Sequence, residues 1–313
     1  EPADENVIHE FLKFAAKYTR PFTIPGIVQR IEVDQHSVEK IARKYLVAVL
    51  SAAATYHYIK TNCRHDFVIE LSVDETDIPQ SPLELFFILA MAAWQKLPLA
   101  TIAPKFSGRF NKGVDYVGDP AKFVNEFCQD VAVVDFAMHE FALPEGLKLS
   151  VHSGSDKFSL YPHIHQIILK SGAGMHLKTA GTTWLEELIG LAAADGDGLI
   201  MALEIYRQSC EHYESLVKPY ATVLAIDRTA LPSPSVVNGW NSRQYVAALR
   251  HDQNEKLYNP HLRQLLHVGY KIAAQMGNEY LSALDKYAGF IAPNVTDNLY
   301  KRHIQPLFFD REA

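Results

Sequence analysis

The chain has 313 residues, of which 48% are hydrophobic and 21% are charged, and its formal net charge is −6. These are the values of a globular protein, so they exclude a disordered or collagen-like chain. Broad binding to nucleic acid or to an anionic membrane needs a basic field, which this chain lacks. We therefore expect no nucleic-acid or membrane partner, while an anionic small molecule and homo-oligomerisation both remain compatible with the composition.

The cysteines and the apolar stretches predict a soluble cytoplasmic protein. Cys63, Cys128 and Cys210 are far apart and form no CxxC pair, so they fit neither a disulfide framework nor a zinc ribbon. The acidic N-terminus lacks the features of a signal peptide. The longest apolar stretches, around residues 45–54 and 83–94, are too short to span a bilayer.

The hydrophobic periodicity predicts a short helix and a loop up to Pro25, followed by alternating strands and helices. The predicted strands are residues 67–73, 99–103, 147–151 and 175–178, and the predicted helices are residues 37–60, 83–95, 120–141, 158–169 and 183–193. This alternation is typical of parallel strands with right-handed crossovers. Beyond Gly196 only helices are predicted, at residues 199–217, 260–275 and 278–287. We predict a lead-in over residues 1–36, a β/α portion over 37–195, and a helical region over 196–313 that packs on it.

Polar and apolar residues alternate within the predicted strands. Glu70, Ser72 and Asp74 alternate with aliphatic residues in the first strand, and His152 and His176 follow the same alternation in the third and fourth. A doubly wound sheet would be apolar on both faces. A (β/α)8 TIM-barrel-type fold instead carries polar residues at the carboxyl ends of its strands, where its active site lies, and we predict this α/β fold. The convergent polar set is Glu70, Ser72, Asp74, Lys105, His152, His176 and Lys178.

Two interpretations of the histidines stay open on pattern alone. A single strand histidine is commonly a hydrogen-bonded structural residue, but His152 and His176 on neighbouring strands, with a carboxylate at the same end, suit a divalent transition metal. Arg263 and His267 lie four residues apart on one predicted helix face, a spacing that favours a packed or solvated face over a ligand pair. The remaining histidines have no ligand-like spacing.

Two turns and a basic loop predict anion recognition. The small, hydroxyl-rich turns at residues 153–157 and 179–182 present backbone N–H groups to an anion. The loop at residues 105–109 adds cationic side chains, and an arginine can bind a carboxylate with two hydrogen bonds. The chain has no GxGxxG, Walker or GxSxG motif. The sequence therefore lacks the motifs typical of nicotinamide-dependent redox enzymes, of nucleotide hydrolases and of α/β-hydrolases.

Several motifs closely resemble the tagaturonate epimerase family, bacterial enzymes that interconvert tagaturonate and fructuronate. The resemblance covers about residues 20–287. The motifs are SVDETD at 72–77, APKF at 103–106, KGVDYVGD at 112–119, KLSVHSGSDKFS at 148–159, HLKTAGT at 176–182 and RQLLHV at 263–268. Family members are usually longer, with an upstream region that carries the first barrel strands and an Asp-His pair. Two interpretations stay open: this chain is a fragment with an incomplete barrel, or the missing strands are supplied or dispensed with in another way.

The resemblance implies a metal-dependent barrel enzyme similar to class II aldolases. It implies that His152 and His176 bind a divalent metal (Zn, Mn, Co or Ni), and that Asp74 or Glu75 is the general acid or base. The residues expected to hold the carboxylate and hydroxyls of the sugar acid are Lys105, Arg109, Ser153, Ser155, Asp156, Lys178 and Thr179.

The chemistry of the two sugar acids favours a retro-aldol mechanism. They differ at a carbon β to the ketone, whose hydrogen is not acidic, so direct deprotonation is disfavoured. Cleavage, rotation of the aldehyde and re-addition would exchange the two configurations. Three alternatives stay open: a Schiff base on Lys105 or Lys178, another aldolase-like or isomerase activity on a ketose or sugar acid, and an inactive chain that binds a sugar acid.

Overall fold

The computed structural model describes residues 3–309, which form many helices and one sheet of short strands. The strands are β1 (Ile69–Ser72), β2 (Leu99–Ala103), β3 (Lys148–Ser150) and β4 (Met175–His176). The α-helices are α1 (Glu5–Ala15), α2 (Gln35–Asn62), α3 (Pro82–Trp94), α4 (Pro120–Phe141), α5 (Tyr161–Ser171), α6 (Ala180–Ala193), α7 (Gly196–Glu211), α8 (Tyr213–Val217), α9 (Pro234–Val237), α10 (Ser242–Leu249), α11 (Pro260–Val268), α12 (Tyr270–Met276), α13 (Asn278–Lys286), α14 (Ala288–Thr296) and α15 (Gln305–Phe308). Shorter 3-10 turns cover Ala16–Tyr18, Lys218–Val223 and Arg228–Ala230, and a π-helical segment covers Asp297–Ile304.

The four strands form a parallel sheet in the order β1-β2-β3-β4. The α/β class and the parallel strands are therefore confirmed. Within residues 3–309, β1 and β4 are the two edges of this sheet and do not pair with each other, so the sheet is not closed into a barrel. Closure needs more strands than these four, and the (β/α)8 prediction goes beyond what the described residues form.

Local capping explains where the helices around the sheet begin. Ser81 and Glu84 form a capping box at the start of α3, whose first residue is Pro82. At the start of α4, the Asp119 side chain accepts hydrogen bonds from two backbone N–H groups, and Pro120 takes the first helical position. These caps fix where the chain turns from β1 into α3 and from β2 into α4.

Chain contacts divide the molecule into two compact units. Of the described residues, the first unit comprises 3–108, 119–152 and 166–177, and the second comprises 109–118, 153–165 and 178–309. The predicted boundaries at residues 36 and 195 do not coincide with this division. The first unit contains the whole sheet.

The core of the first unit lies on the apolar face of the sheet. Leu71, Ile102, Leu149 and Met175 are buried on that face, one from each strand. Helix α2 contacts β1, α4 contacts β3, and α3 packs between these two helices. The opposite face carries the polar side chains, as the alternation in the sequence predicts.

The second unit is built from helices, as predicted for the region after Gly196. The predicted helix at residues 260–275 is interrupted after Val268, where Gly269 ends α11. Helices α6 and α14 pack closely, because Gly190 on α6 lets the backbone of Ile291 approach. None of the helices within residues 3–309 is both long and apolar enough to cross a membrane.

Candidate active site

Glu70 joins the polar ends of three strands. Its Oε1 lies 2.7 Å from Nε2 of His152, and its Oε2 lies 3.1 Å from Nδ1 of His176. The hydroxyl of Thr101 on β2 donates to the same Oε2 at 2.8 Å. The register explains this meeting, since Glu70 pairs with Thr101, and Ser150, two residues before His152, pairs with His176. Two histidines and a carboxylate therefore gather at the carboxyl ends of parallel strands, as predicted.

Asp74 reaches His152 from the end of β1. Its Oδ2 lies 3.0 Å from Nδ1 of His152, and its Oδ1 accepts a hydrogen bond from the hydroxyl of Ser72. Partial burial by itself would raise the pKa of the Asp74 carboxyl, but the hydrogen bonds from His152 and Ser72 hold that pKa below its usual range. Asp74 is therefore a carboxylate at neutral pH.

The His152 ring lies between two carboxylates. Glu70 faces Nε2 and Asp74 faces Nδ1, each within hydrogen-bond distance. A carboxylate only accepts hydrogen bonds, so both contacts are satisfied together when both ring nitrogens carry a proton. The His152 side chain is about three-quarters buried, which strengthens these charge-assisted contacts.

Gln80 and Lys105 fix the end of β1 against the end of β2. The buried Gln80 amide donates to the carbonyl of Val73 at 2.9 Å and accepts from the backbone N–H of Lys105 at 2.9 Å. Lys105 also donates from Nζ to the carbonyl of Asp74 at 3.3 Å. The predicted cation thus lies beside the predicted acid, whereas the neighbouring Glu75 is exposed.

The other predicted binding residues belong to the second unit, and their contact with a substrate stays a prediction. Arg109 is exposed and pairs with Val117 through two backbone hydrogen bonds. Ser153 has a left-handed φ of 52° in the turn after His152. Lys178 is exposed, and Thr179 immediately precedes α6 as its N-cap.

Asp156 lies inside the second unit, where it is fully buried. Its Oδ2 accepts from Nη2 of Arg263 at 2.9 Å and from the hydroxyl of Thr182 at 3.1 Å. Burial would raise the pKa of Asp156, but the Arg263 guanidinium and the neighbouring His251 hold it well below its usual range. The neighbouring Ser155 is also buried. The partner of Asp156 is Arg263, which the sequence pattern did not indicate. A contact of Asp156 with a substrate stays a prediction.

Arg263 is a packed residue, in line with the packed-face interpretation of its helix. It donates to the carbonyls of Gly113 at 2.6 Å and Leu249 at 2.8 Å. Lys157, also buried, donates to the carbonyls of Asn111 and Val114 at 2.9 and 2.7 Å. Two buried cations therefore hold the turn at residues 111–114.

Glu186 is a second buried acid near the same cation. Its Oε1 lies 3.8 Å from Nη2 of Arg263 and accepts from the Asn298 amide at 3.0 Å. Burial raises the pKa of Glu186 to about 7, although Arg263 opposes this shift. Asp156 makes the shorter contact with Arg263, so Glu186 is the acid that takes up a proton.

The role of Glu70 is the main feature that sequence reasoning missed. Strand alternation placed Glu70 in the convergent polar set but assigned it no function. Its double contact with the histidines depends on the register of strands about 80 to 106 residues apart along the chain, which no local pattern carries. Thr101 and Gln80 were missed for the same reason.

The donor types at these strand ends fit a divalent transition metal, because two imidazoles lie beside two carboxylates. Among the described residues, no group of three or more His, Cys, Asp or Glu side chains is arranged to hold a metal ion. Both ring nitrogens of His152 face carboxylate oxygens. A metal ion bound through His152 would replace one of these carboxylate contacts, because a ring nitrogen that binds a metal carries no proton.

A parallel sheet with histidines and carboxylates at its strand ends defines an α/β protein with a polar candidate active site. The comparison with known families narrows this class. A sequence model of the UxaE tagaturonate epimerase family matches residues 9–299, so the chain belongs to the tagaturonate epimerase family.

Related proteins agree with this assignment. A tagaturonate/fructuronate epimerase of Thermotoga maritima is 31% identical over 242 residues, which are 77% of this chain and 45% of that protein. The native crystal structure of fructuronate-tagaturonate epimerase UxaE from Cohnella laeviribosi superposes with a TM-score of 0.74 at 23% identity, over 97% of this chain and 60% of that one. A complex of the same Cohnella enzyme with two glycerols gives a TM-score of 0.75 at 22% identity, over 98% of this chain and 61% of that one. The chain thus shares their fold and spans about half the length of the curated relative.

Proposed function

We propose that this chain carries the epimerisation of tagaturonate and fructuronate, and that Glu70, Asp74, His152 and His176 form its reactive centre. Family membership supports the reaction type. The single observation that supports this centre is the contact of Asp74 and Glu70 with the two nitrogens of His152 at the carboxyl ends of the strands.

The chain's own residues supply proton transfer in this proposal. Retro-aldol cleavage begins when the hydroxyl at the epimerised carbon loses its proton, and re-addition returns that proton. Asp74 is the base because it is a carboxylate at neutral pH. His152, in contact with Asp74, holds the neighbouring proton and keeps the carboxylate oriented. Lys105, beside Asp74, is the cation for the substrate carboxylate.

His152 and His176 are the proposed ligands of a divalent metal. When bound, such a cation supplies Lewis-acid polarisation of the substrate's ketone oxygen. The donor chemistry supports this assignment. A (β/α)8 barrel also belongs to the proposal, supported by four parallel strands in sequential order and by their one polar face.

The proposal is tested by incubating the purified chain with tagaturonate and following fructuronate by NMR. The reverse reaction is run in parallel, and both are repeated with EDTA and after restoring Zn, Mn, Co or Ni. We expect conversion in both directions that EDTA abolishes and metal restores. Conversion that EDTA leaves unchanged would contradict the proposed metal dependence. A covalent lysine adduct trapped by borohydride would show a Schiff-base mechanism instead of a metal-assisted one.

Absence of conversion under every metal condition would overturn the proposed activity of this chain. Calorimetry with fructuronate would then show whether the chain binds the sugar acid without turnover.

A further inference from the structure

The Asp156 carboxylate joins the two turns that are predicted to recognise the sugar acid. Asp156 lies in the turn at residues 153–157, and its Oδ2 accepts a hydrogen bond at 3.1 Å from the hydroxyl of Thr182, in the turn at residues 179–182. The Arg263 guanidinium on α11 donates to the same oxygen at 2.9 Å. All three side chains are fully buried and belong to the second unit. One carboxylate oxygen therefore connects the two turns to each other and to a helix.

The turn at residues 153–157 has a backbone conformation that depends on such contacts. Ser153 and Asp156 have φ values of 52° and 61°, in the left-handed region that residues with a side chain rarely adopt. The backbone N–H of Asp156 donates to Nε2 of the buried His303 at 3.0 Å. A sparsely populated conformation persists only where the surrounding structure holds it. Loss of a contact at Asp156 should therefore loosen the whole turn.

We infer that Asp156 and Thr182 are positioning residues for sugar-acid binding: their hydrogen bond sets the spacing between the turns at residues 153–157 and 179–182. The inference rests on the proposed function for its purpose, because both turns contain residues predicted to bind the carboxylate and hydroxyls of the substrate. A ligand that contacts both turns binds more tightly when their spacing is already fixed, since less conformational freedom is lost on binding. Asp156 acts on the substrate through the turns, because its carboxylate is buried.

Three threonine variants test the role of this hydrogen bond. Thr182→Val keeps the shape of the side chain and removes its hydroxyl, whereas Thr182→Ser keeps the hydroxyl and removes the methyl group. Thr183→Val is the matched control: it removes a hydroxyl that donates to the carbonyl of Thr179, which still accepts from the backbone N–H of residue 183. Thermal unfolding establishes that each variant folds, and Thr182→Ala replaces Thr182→Val if the latter does not.

Hydrogen exchange of the backbone amides at residues 153–157 measures the coupling of the turns with neither substrate nor metal present. We expect exchange in Thr182→Val to be faster by about 2- to 10-fold, as for the loss of one hydrogen bond. Thr182→Ser and Thr183→Val should exchange as the wild type does. Wild-type exchange in Thr182→Val would overturn the inference. Faster exchange in Thr182→Ser than in Thr182→Val would also overturn it, because the methyl group and not the hydroxyl would then hold the turn.

Calorimetric titration with fructuronate measures what the spacing of the turns does for binding. The affinity of Thr182→Val should fall by about 2- to 10-fold, and that of Thr182→Ser should stay at the wild-type value. Faster exchange in Thr182→Val with unchanged affinity would show a merely structural hydrogen bond and would overturn the inference. A wild-type chain that binds no fructuronate would overturn the proposed function together with the role in substrate binding, whereas the exchange data decide the coupling of the turns independently.

Discussion

Asp74 and His152, 78 positions apart in the sequence, meet with Oδ2 of the acid 3.0 Å from Nδ1 of the ring. Each follows a different strand of the sheet, and β2 lies between those strands. The contact therefore depends on the parallel order of the strands and on the turns that follow them. It places an ionised acid and a proton-bearing ring at the same edge of the sheet.

This contact separates the two acids that the sequence could not distinguish. Asp74→Asn removes the proposed base while keeping its size, so the rate of epimerisation should fall by about 10²–10⁴-fold. Steady-state kinetics should place most of this loss in kcat. Glu75→Gln is measured beside it, and a larger loss in that variant would transfer the role of base to Glu75.

The histidines should determine metal affinity independently of turnover. His176→Ala removes one proposed ligand. Calorimetric titration should therefore show that the affinity for Zn²⁺ falls by at least about 10- to 100-fold, which is the loss typical of mutating a residue that only hydrogen-bonds to a metal ligand. His139→Ala removes an exposed imidazole from α4 and controls for weak surface binding. Equal affinities for the two variants would contradict the metal site.

Glu186 should make the second unit less stable as the pH rises. Its folded pKa of about 7 lies above the ordinary value of 4.5, so between these values the folded state binds more protons than the unfolded state. The stability that neutral Glu186 contributes is complete below pH 4.5 and is lost as the pH rises through 7.

Glu186→Gln keeps a neutral acceptor for Asn298 and removes this titration. Urea unfolding of both proteins should show the variant gaining up to about 3 kcal/mol over the wild type between pH 4.5 and pH 8. The exposed Glu279→Gln controls for the change in net charge. A difference between Glu186→Gln and wild type that does not vary with pH would contradict the assignment of a neutral Glu186.

Two glycines near the α6–α14 contact should respond to alanine with opposite signs. A Cβ at Gly190 would lie 2.5 Å from the Cα of Ile291, so the helices must separate and stability should fall by about 1–3 kcal/mol. A Cβ at Gly289 would meet open space, so Gly289→Ala should stabilise α14 by up to about 1 kcal/mol. Thermal unfolding measures both, and a Gly190→Ala variant as stable as wild type would contradict this close packing.

Local signals predicted most of the first unit. The bounds of β2 and α4 were predicted to the residue, because an apolar run bounded by polar residues and an Asp-Pro cap are both encoded within a few positions. Strand alternation likewise predicted that Asp74, His152 and His176 share one edge of the sheet. Strand β4 is shorter than predicted, since its pairing with β3 ends at His176.

Contacts between distant segments could not be predicted in the same way. Asp156 and Arg263 are 107 positions apart, and both are fully buried. The sequence pattern placed Asp156 among the residues expected to hold the sugar acid, and since charged residues are rarely buried completely, nothing in the sequence indicated a buried partner. Glu70 was placed correctly on the polar face, but its partners depend on strand register.

The fate of the hydrogen on the epimerised carbon tests the central claim most directly. Tagaturonate and the purified, metal-loaded chain are incubated in D₂O, and the fructuronate formed is examined by ¹H NMR. Retro-aldol chemistry with Asp74 at the hydroxyl breaks a carbon–carbon bond and leaves that C–H bond intact, so the product should carry no deuterium there. Deuterium at the epimerised carbon would show direct deprotonation and would contradict the mechanism proposed for these four residues.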